Sequence, residues 1–335
     1  MNATMCLPSL LSRRRVLAAA LAAPWASRAQ LRGQPRRVGF LAQITRPDPF
    51  DPHIFGSLAK ALRELGYVEG QNLAMQWRFG GGEVARLPAL ARELADQQLE
   101  AVIAAGTLSA IAMHKATSTT PVVFGNVSDP VGAGVVQSLS RPGTNCTGIA
   151  SLLQGMMPKL LELTREALPR ADRVGLMINP LQPSHAGLLA GLQPMAQSRG
   201  IRLAQFGATT AAEIEQGFAA AARENMDAML LPNEGLFIQH RRLIAQQGAR
   251  YRLPLVSVDD ELAPLGALLT YGADQHAMFR RLATYVDRVL RGGRPAEIPV
   301  EQPTQFLLSV NRRAEADLQL RVAPSLLIRA DRVIE

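Results

Sequence analysis

Four short polar clusters in this chain carry the side-chain types that hold a small solute. Gly106-Thr107-Leu108-Ser109 places two hydroxyls where an apolar run gives way to a helical pattern. A hydroxyl there caps the helix by accepting a backbone N–H bond. The free N–H groups and positive dipole end of the same helix also suit a carboxylate. These residues therefore serve as a cap, with or without a ligand contact. Asn126, Ser128 and Asp129 form a second group, Asn233-Glu234 a third and Asp259-Asp260-Glu261 a fourth. Aspartates at turns are usually structural, so Asp129 reads first as a turn residue and second as a contact. One acid of the 259–261 trio can receive an ammonium group.

Residues suited to catalysis are sparser. Gly-x-Ser-x-Gly is absent, and so is the phosphate-cradling Gly-x-x-x-x-Gly-Lys-Ser/Thr loop. Gly132-Ala133-Gly134 lacks a third glycine in place and does not follow the first strand, which argues against a dinucleotide site. Gly80-Gly81-Gly82 reads as a flexible turn after a strand. Cys146 has no flanking partner and is better read as a small buried residue than as a nucleophile. The cysteines number 2, Cys6 and Cys146, which excludes a disulfide scaffold and a multi-cysteine metal site. His53, His114, His185, His240 and His276 lie far apart, with no His-x-His or His-Glu-x-x-His. No cofactor and no metal are expected. With 5% aromatic residues the chain is short of the platforms that sugar sites use, so a sugar ligand is disfavoured.

The elements that must position these groups follow from periodicity. From residue 36 onward short apolar runs alternate with longer helical patterns, the signature of βαβ units and a parallel sheet. Strands are expected at 37–44, 73–79, 101–105 and 122–127, with helices at 50–65, 84–97 and 108–117. A second set follows: strands at 173–179, 201–206, 228–231 and 255–258, with helices at 184–198, 211–224 and 237–251. The halves echo each other. Arg37-Val38-Gly39-Phe40-Leu41 matches Arg173-Val174-Gly175-Leu176-Met177, and Pro121-Val122-Val123-Phe124 matches Pro254-Leu255-Val256-Ser257. The interval between these motifs is 84 residues in one half (37 to 121) and 81 in the other (173 to 254). The fold class is therefore α/β, two Rossmann-like doubly wound lobes with a cleft between them, joined near 148–155. A further apolar run at 267–271, a helix at 274–290 and a last strand at 305–310 imply that the tail crosses back. Lobe one is then 36–150, completed by about 272–295, and lobe two is 151–270, completed by about 300–335.

In open parallel sheets ligands bind beyond the carboxyl ends of the strands. By that rule the candidate contacts in the first lobe are Gln43, Thr45, Thr107, Ser109, Asn126, Ser128 and Asp129. In the second they are Asn179, Asn233, Glu234, Asp259, Asp260 and Glu261, with Tyr271 after the crossing strand. Uncharged hydrogen-bonding groups with a few carboxylates suit a small polar or zwitterionic molecule.

Composition bounds the rest. The 335 residues are 47% apolar and 19% charged, enough for two domains with sizeable cores. Of the net charge of +8, the first 29 residues supply half through Arg13, Arg14, Arg15 and Arg28, with no acid among them. The remainder is scattered and forms no basic stripe, so a nucleic-acid partner is not expected. Ser12-Arg13-Arg14-Arg15-Val16-Leu17 leads into an apolar run of about ten residues, and Ser27-Arg28-Ala29 offers a cleavage site before Gln30. Residues 1–29 read as an export signal resembling the twin-arginine type, although Val16 stands where Phe is more usual. The apolar run is too short to span a bilayer, which takes about 20 residues. The mature chain is expected to be exported and soluble, without membrane insertion.

A series of motifs resembles one family. They are Phe79-Gly80-Gly81-Gly82 with Arg86-Leu87-Pro88, Gly106-Thr107, and Val122-Val123-Phe124 followed by Asp129-Pro130-Val131-Gly132. Arg141-Pro142-Gly143-x-Asn145-x-Thr147-Gly148, Tyr251-Arg252-Leu253-Pro254 and Tyr271-Gly272 continue the series. Arg280-Arg281, Tyr285-Val286-Asp287, Glu301-Gln302-Pro303-Thr304 and Pro324-Ser325-Leu326-Leu327-x-Arg329-Ala330-Asp331 complete it. Over 36–335 the chain resembles the TrpX-like substrate-binding proteins of ABC transporters. Leu108 departs from the Pro common there, and Thr144 from the Gly. The resemblance implies a type I periplasmic-binding-protein fold, a periplasmic location, capture of an amino acid or related carboxylate, and delivery to a permease served by an ATP-binding subunit. A secreted enzyme or a ligand-sensing domain on the same scaffold are the alternatives.

Overall fold

The computed structural model describes residues 34–151 and 153–335; the expected export segment at 1–29 lies outside the described residues. Two sheets dominate. The first contains β1 (Arg36–Ala42), β2 (Leu73–Phe79), β3 (Ala101–Ala105), β4 (Val122–Val127) and β5 (Cys146–Ala150), all parallel in the order β2-β1-β3-β4-β5. Between them run α1 (Ile54–Glu64), α2 (Leu87–Ala95) and α3 (Thr107–Ala116).

The second sheet contains β6 (Arg173–Ile178), β7 (Arg202–Gly207), β8 (Ala228–Leu231), β9 (Leu255–Ser257), β10 (Leu269–Ala273), β11 (Phe306–Asn311) and β12 (Arg332–Ile334). Its order is β12-β11-β10-β9-β8-β6-β7, and only the β10–β11 pair is antiparallel. Five of these strands, β7-β6-β8-β9-β10, repeat the order of the first sheet. The echo between the halves is therefore a repeat of topology, each half reversing strand order at its first strand as doubly wound sheets do. The helices of this lobe are α4 (Leu153–Ala167), α5 (Leu188–Ser198), α6 (Ala211–Arg223), α7 (Gly235–Gln239) and α8 (Arg241–Arg250). After β10 come α9 (Gln275–Leu290), then α10 (Arg312–Asp317) and α11 (Pro324–Arg329).

The central strands of both sheets are covered on both faces, which explains why β3, β4, β6, β8 and β9 read as largely apolar runs, whereas β2 and β7 at the edges are only partly buried. In β1 Val38, Phe40 and Leu41 are fully buried, one face meeting α1 and α9 and the other meeting α2 and α3. α9 lies against α1 and over β4 and β5, burying Phe279, Leu282 and Val286. Each such side chain stabilises the first lobe by roughly 1.5–3 kcal/mol. The chain thus crosses between the sheets after β5, after β10 and again at 300–306. There Glu301 exchanges backbone bonds with β5: its N–H donates to the Gly148 carbonyl and its carbonyl accepts from Ala150.

Three departures from the sequence reading have local causes. The segment expected as a connection near 148–155 begins with a strand, β5, and continues into a helix, α4. Thr147 and Gly148 hid the strand, yet the glycine is obligatory. At φ +152° a Cβ there would stand 1.9 Å from the Phe124 carbonyl oxygen of the neighbouring strand. The helix expected at 50–65 starts only at Ile54 because Pro47, Pro49 and Pro52 hold the preceding segment out of the helical region. The helix expected at 237–251 is broken at His240 into α7 and α8. The break lets Gln239 reach the first lobe while Arg241 turns back to Asp259.

Candidate functional site

The carboxyl ends of both sheets face one cavity of about 550 Å³, its open mouth included. From the first lobe come Gln43 and Ile44 after β1, Thr107, Leu108 and Ser109 opening α3, Asn126 and Ser128 at the end of β4, and the start of α1 with His53, Ile54 and Phe55. Gln182, Asn233, Glu234 and Ile238 come from the second lobe, and Phe279 of α9 closes the floor.

The backbone of the first lobe is shaped for this. Gly106, at φ +88°, is the N-cap of α3 and has no side chain to cap it. The opening N–H groups of that helix therefore have no side-chain acceptor and sit at its positive end. Thr107 is not the cap expected of it. Its hydroxyl oxygen instead accepts the Ser128 N–H at 3.1 Å and ties the ends of β3 and β4 together. Asn126 takes φ +60° where the β4–β5 register shifts, a conformation Asn tolerates better than most residues. The triple glycine is not a loose turn. Its N–H groups donate to the Ala42, Gln43 and Ile44 carbonyls and fix the end of β1.

Four buried polar atoms on this cavity have no partner among the described residues: Gln43 Nε2, Ser109 Oγ, Gln182 Oε1 and Asn233 Oδ1. An unmade bond in such a place costs roughly 1–3 kcal/mol, and a ligand that makes it recovers that loss. Glu234 is 4% exposed and caps α7. Its carboxylate accepts from the Phe237 N–H at 3.2 Å and from Asn179 Nδ2 at 3.2 Å. Burial pushes its pKa up to about 7. The Asn179 N–H donates to His185 Nδ1 at 3.0 Å, and burial lowers His185 to about 4. His53 is also lowered to about 4, first by burial and then by the charges of Arg241 and His276.

The two walls differ in character. The first lobe offers donors at the α3 N-terminus with the Ser109 and Ser128 hydroxyls. The second offers acceptors at Gln182, Asn233 and Glu234. Ile54, Phe55, Ile238 and Phe279 make an apolar flank between them. Among the described residues lining the cavity there is no Lys or Arg.

Of the residues expected from sequence, Gln43, Thr107, Ser109, Asn126, Ser128, Asn233 and Glu234 come together here. The others do not line the cavity. Thr45 sits at the rim, its N–H donating to Gln239 Oε1 of the other lobe at 2.7 Å. Asn179 lies behind Glu234. Asp129 accepts the Gly132 N–H at 2.8 Å in its own turn. Asp259 is held bidentately by Arg241. Asp260 ties three strands together through Thr270, Ser309 and Arg332. Glu261 pairs across the lobes with His276 at 3.5 Å. Tyr271 stacks on Phe306, with ring centroids 5.9 Å apart. The acids at 259–261 are thus taken up by cations and strand hydroxyls 10 to 72 residues away. His53, Phe55, Gln182 and Phe279 escaped the strand-end rule. Three of them lie on helices or helix caps, and Gln182 stands four residues beyond the end of β6.

Comparison with known proteins places this geometry. The family model for ABC transporter substrate binding protein matches residues 42–334. A tyrosine-binding protein of Clostridioides difficile (strain R20291) is 24% identical over 262 residues, covering 78% of this chain and 75% of that protein. The crystal structure of a conserved domain protein from Vibrio cholerae superposes with TM-score 0.84 at 25% identity, covering 90% of this chain and 100% of the other. An ABC domain from Streptococcus pneumoniae, solved in complex with L-Trp, superposes with TM-score 0.82 at 20% identity over 90% of this chain and all of the other. The architecture is the two-lobe fold of type I periplasmic binding proteins. A family match across nearly the whole described chain and a polar cavity between two matching lobes lead to one conclusion: the chain belongs to the ABC transporter substrate binding protein family.

Proposed function

We propose that this chain is the exported, periplasmic solute-binding component of an ABC importer and that it holds a small zwitterionic amino acid with an apolar side chain. The ligand's carboxylate lies on the α3 N-terminus with Ser109 and Ser128. Its ammonium lies against Glu234, Gln182 and Asn233, and its side chain rests on Phe55 and Phe279. The observation that carries this reading is the set of unpartnered buried polar atoms, contributed by both lobes to one cavity. Support for an aromatic ligand comes from the tyrosine-binding relative and from the aromatic rings on the cavity floor. Support for export comes from the basic and then apolar segment at the start of the sequence. Among the described residues no helix is long and apolar enough to cross a membrane.

The mechanism is a two-state one. A ligand that touches both lobes favours the closed arrangement by its extra affinity for it. Closure changes the outer surface, which lets a permease with its ATP-binding subunit tell loaded from empty. The test is thermal denaturation with each proteinogenic amino acid. A ligand at about 100 times its dissociation constant stabilises by roughly 2.7 kcal/mol. An apolar or aromatic amino acid is expected to raise the melting temperature; no shift with any of them at millimolar concentration contradicts the proposal.

A further inference from the structure

The two lobes meet through a five-residue helix. α7 seats both of its ends on the first lobe. At its far end Gln239 Oε1 accepts the Thr45 N–H at 2.7 Å, and Gln239 Cγ lies 3.1 Å from where a Cβ at Gly82 would stand. At its near end is Gly235, which lines the cavity. A Cβ there would lie 2.2 Å from Gln43 Oε1, 2.5 Å from its Cδ and 3.1 Å from its Cβ. Gly235 does not take a positive φ, so its backbone does not ask for glycine. The space is demanded by a side chain of the opposite lobe. The Gln43 backbone cannot retreat, so only its side chain can yield: its carbonyl accepts the Gly82 N–H at 2.8 Å, and the Cβ position of Gly80 lies 2.7 Å from that same carbonyl oxygen. Its side chain is 5% exposed.

We infer that Gly235 is a positioning residue for ligand binding: the notch it leaves on α7 receives the Gln43 side chain, and that fit decides how far the lobes close. The inference rests on the cavity being the ligand site. Any side chain at 235 either drives the Gln43 amide into the cavity or holds the lobes apart.

The test is a double-mutant cycle with rescue, read by titration calorimetry with L-tyrosine. Overpacking of this kind is expected to weaken binding by about tenfold or more in Gly235→Ala. Gln43→Gly removes all three contacting atoms, so Gly235→Ala costs nothing further in that background. Equal losses in both backgrounds, or none in the first, overturn the inference. The ligand-free melting temperature of Gly235→Ala stays that of the parent, because the clash exists only between lobes; a large drop overturns it too.

A second arm needs no ligand. The Cβ position of residue 82 lies 4.0 Å from Gln239 Cβ, inside the roughly 3.5–4.5 Å range of disulfides. With Cys6→Ser in place, Gly82→Cys with Gln239→Cys is expected to cross-link on oxidation. Adding Gly235→Ala slows that reaction, and adding Gln43→Gly restores it. Cross-linking indifferent to residue 235 overturns the notch. If L-tyrosine gives no heat with the parent protein, the proposed ligand class fails, while the cross-linking arm still decides the notch.

Discussion

Among the described residues that line the cavity, Glu234 is the one acid. Burial raises its pKa to about 7, so the ligand-free site holds a half-protonated carboxyl near neutrality. An ammonium beside it favours the carboxylate, and below about pH 7 the ligand must expel a proton to bind. Affinity for L-tyrosine is therefore expected to climb with pH, by up to about tenfold per unit, and to level off above about 7. Glu234→Gln binds weakly and flattens the profile in calorimetry; a flat profile in the parent contradicts the assignment. The sign for stability is opposite. The folded pKa lies above the unfolded one, so Glu234 stabilises the ligand-free protein fully below about pH 4.5 and loses that contribution as pH rises through about 7. His53 and His185, both lowered to about 4, contribute above about 6.5 and lose it as pH falls through about 4. Urea denaturation across pH is expected to show that Glu234→Gln removes the loss on the alkaline side and leaves the acid side unchanged. On the opposite wall Ser109→Ala removes a buried hydroxyl that waits for a partner. It is expected to weaken binding by about 1–3 kcal/mol in the same titration; unchanged affinity takes Ser109 out of the site.

At the scale of elements, β5 shows what periodicity misses. Its short Cys-Thr-Gly-Ile-Ala run has no alternation, and its glycine exists only to let β4 approach. Gly148→Ala is expected to cost about 3 kcal/mol or more in urea denaturation, because no flexible side chain can yield to the new Cβ. A smaller loss means that the β4–β5 pairing adjusts. The central strands β3, β4, β6, β8 and β9 were legible because they are buried on both faces and bounded by turn residues, and the place of Gln43, Ser109, Asn126 and Glu234 on the cavity followed from the strand-end rule. The acidic trio at 259–261 was not legible. What occupies those carboxylates is Arg241, Thr270, Ser309, Arg332 and His276, up to 72 residues away in sequence. Sequence spacing carries no record of such pairings. Phe279 was hidden for a related reason: it belongs to a helix that returns from the end of the chain to floor the first lobe.

At the scale of the molecule, two topologically matched lobes share a cleft and are linked by three crossing segments rather than one. Among the described residues, the lobes meet at a buried contact of α7, where Ile238 packs on the first-lobe core and Gly235 faces Gln43, and at two polar contacts nearer solvent. Glu261–His276 is a partly solvated pair worth at most about 1 kcal/mol, and Gln239–Thr45 is a single bond at the rim. These two polar contacts favour closure only weakly without a ligand. Small-angle scattering is expected to give a smaller radius of gyration when L-tyrosine is added; identical curves contradict ligand-driven closure.

The most direct measurement is a crystal structure grown with L-tyrosine or, if titration prefers it, L-tryptophan. Its carboxylate is expected on the N–H groups that open α3, beside Ser109, with its ammonium within hydrogen-bond distance of Glu234. A cleft that stays empty while the amino acid sits elsewhere, such as the crevice beside Arg281 and Glu301, would contradict the account.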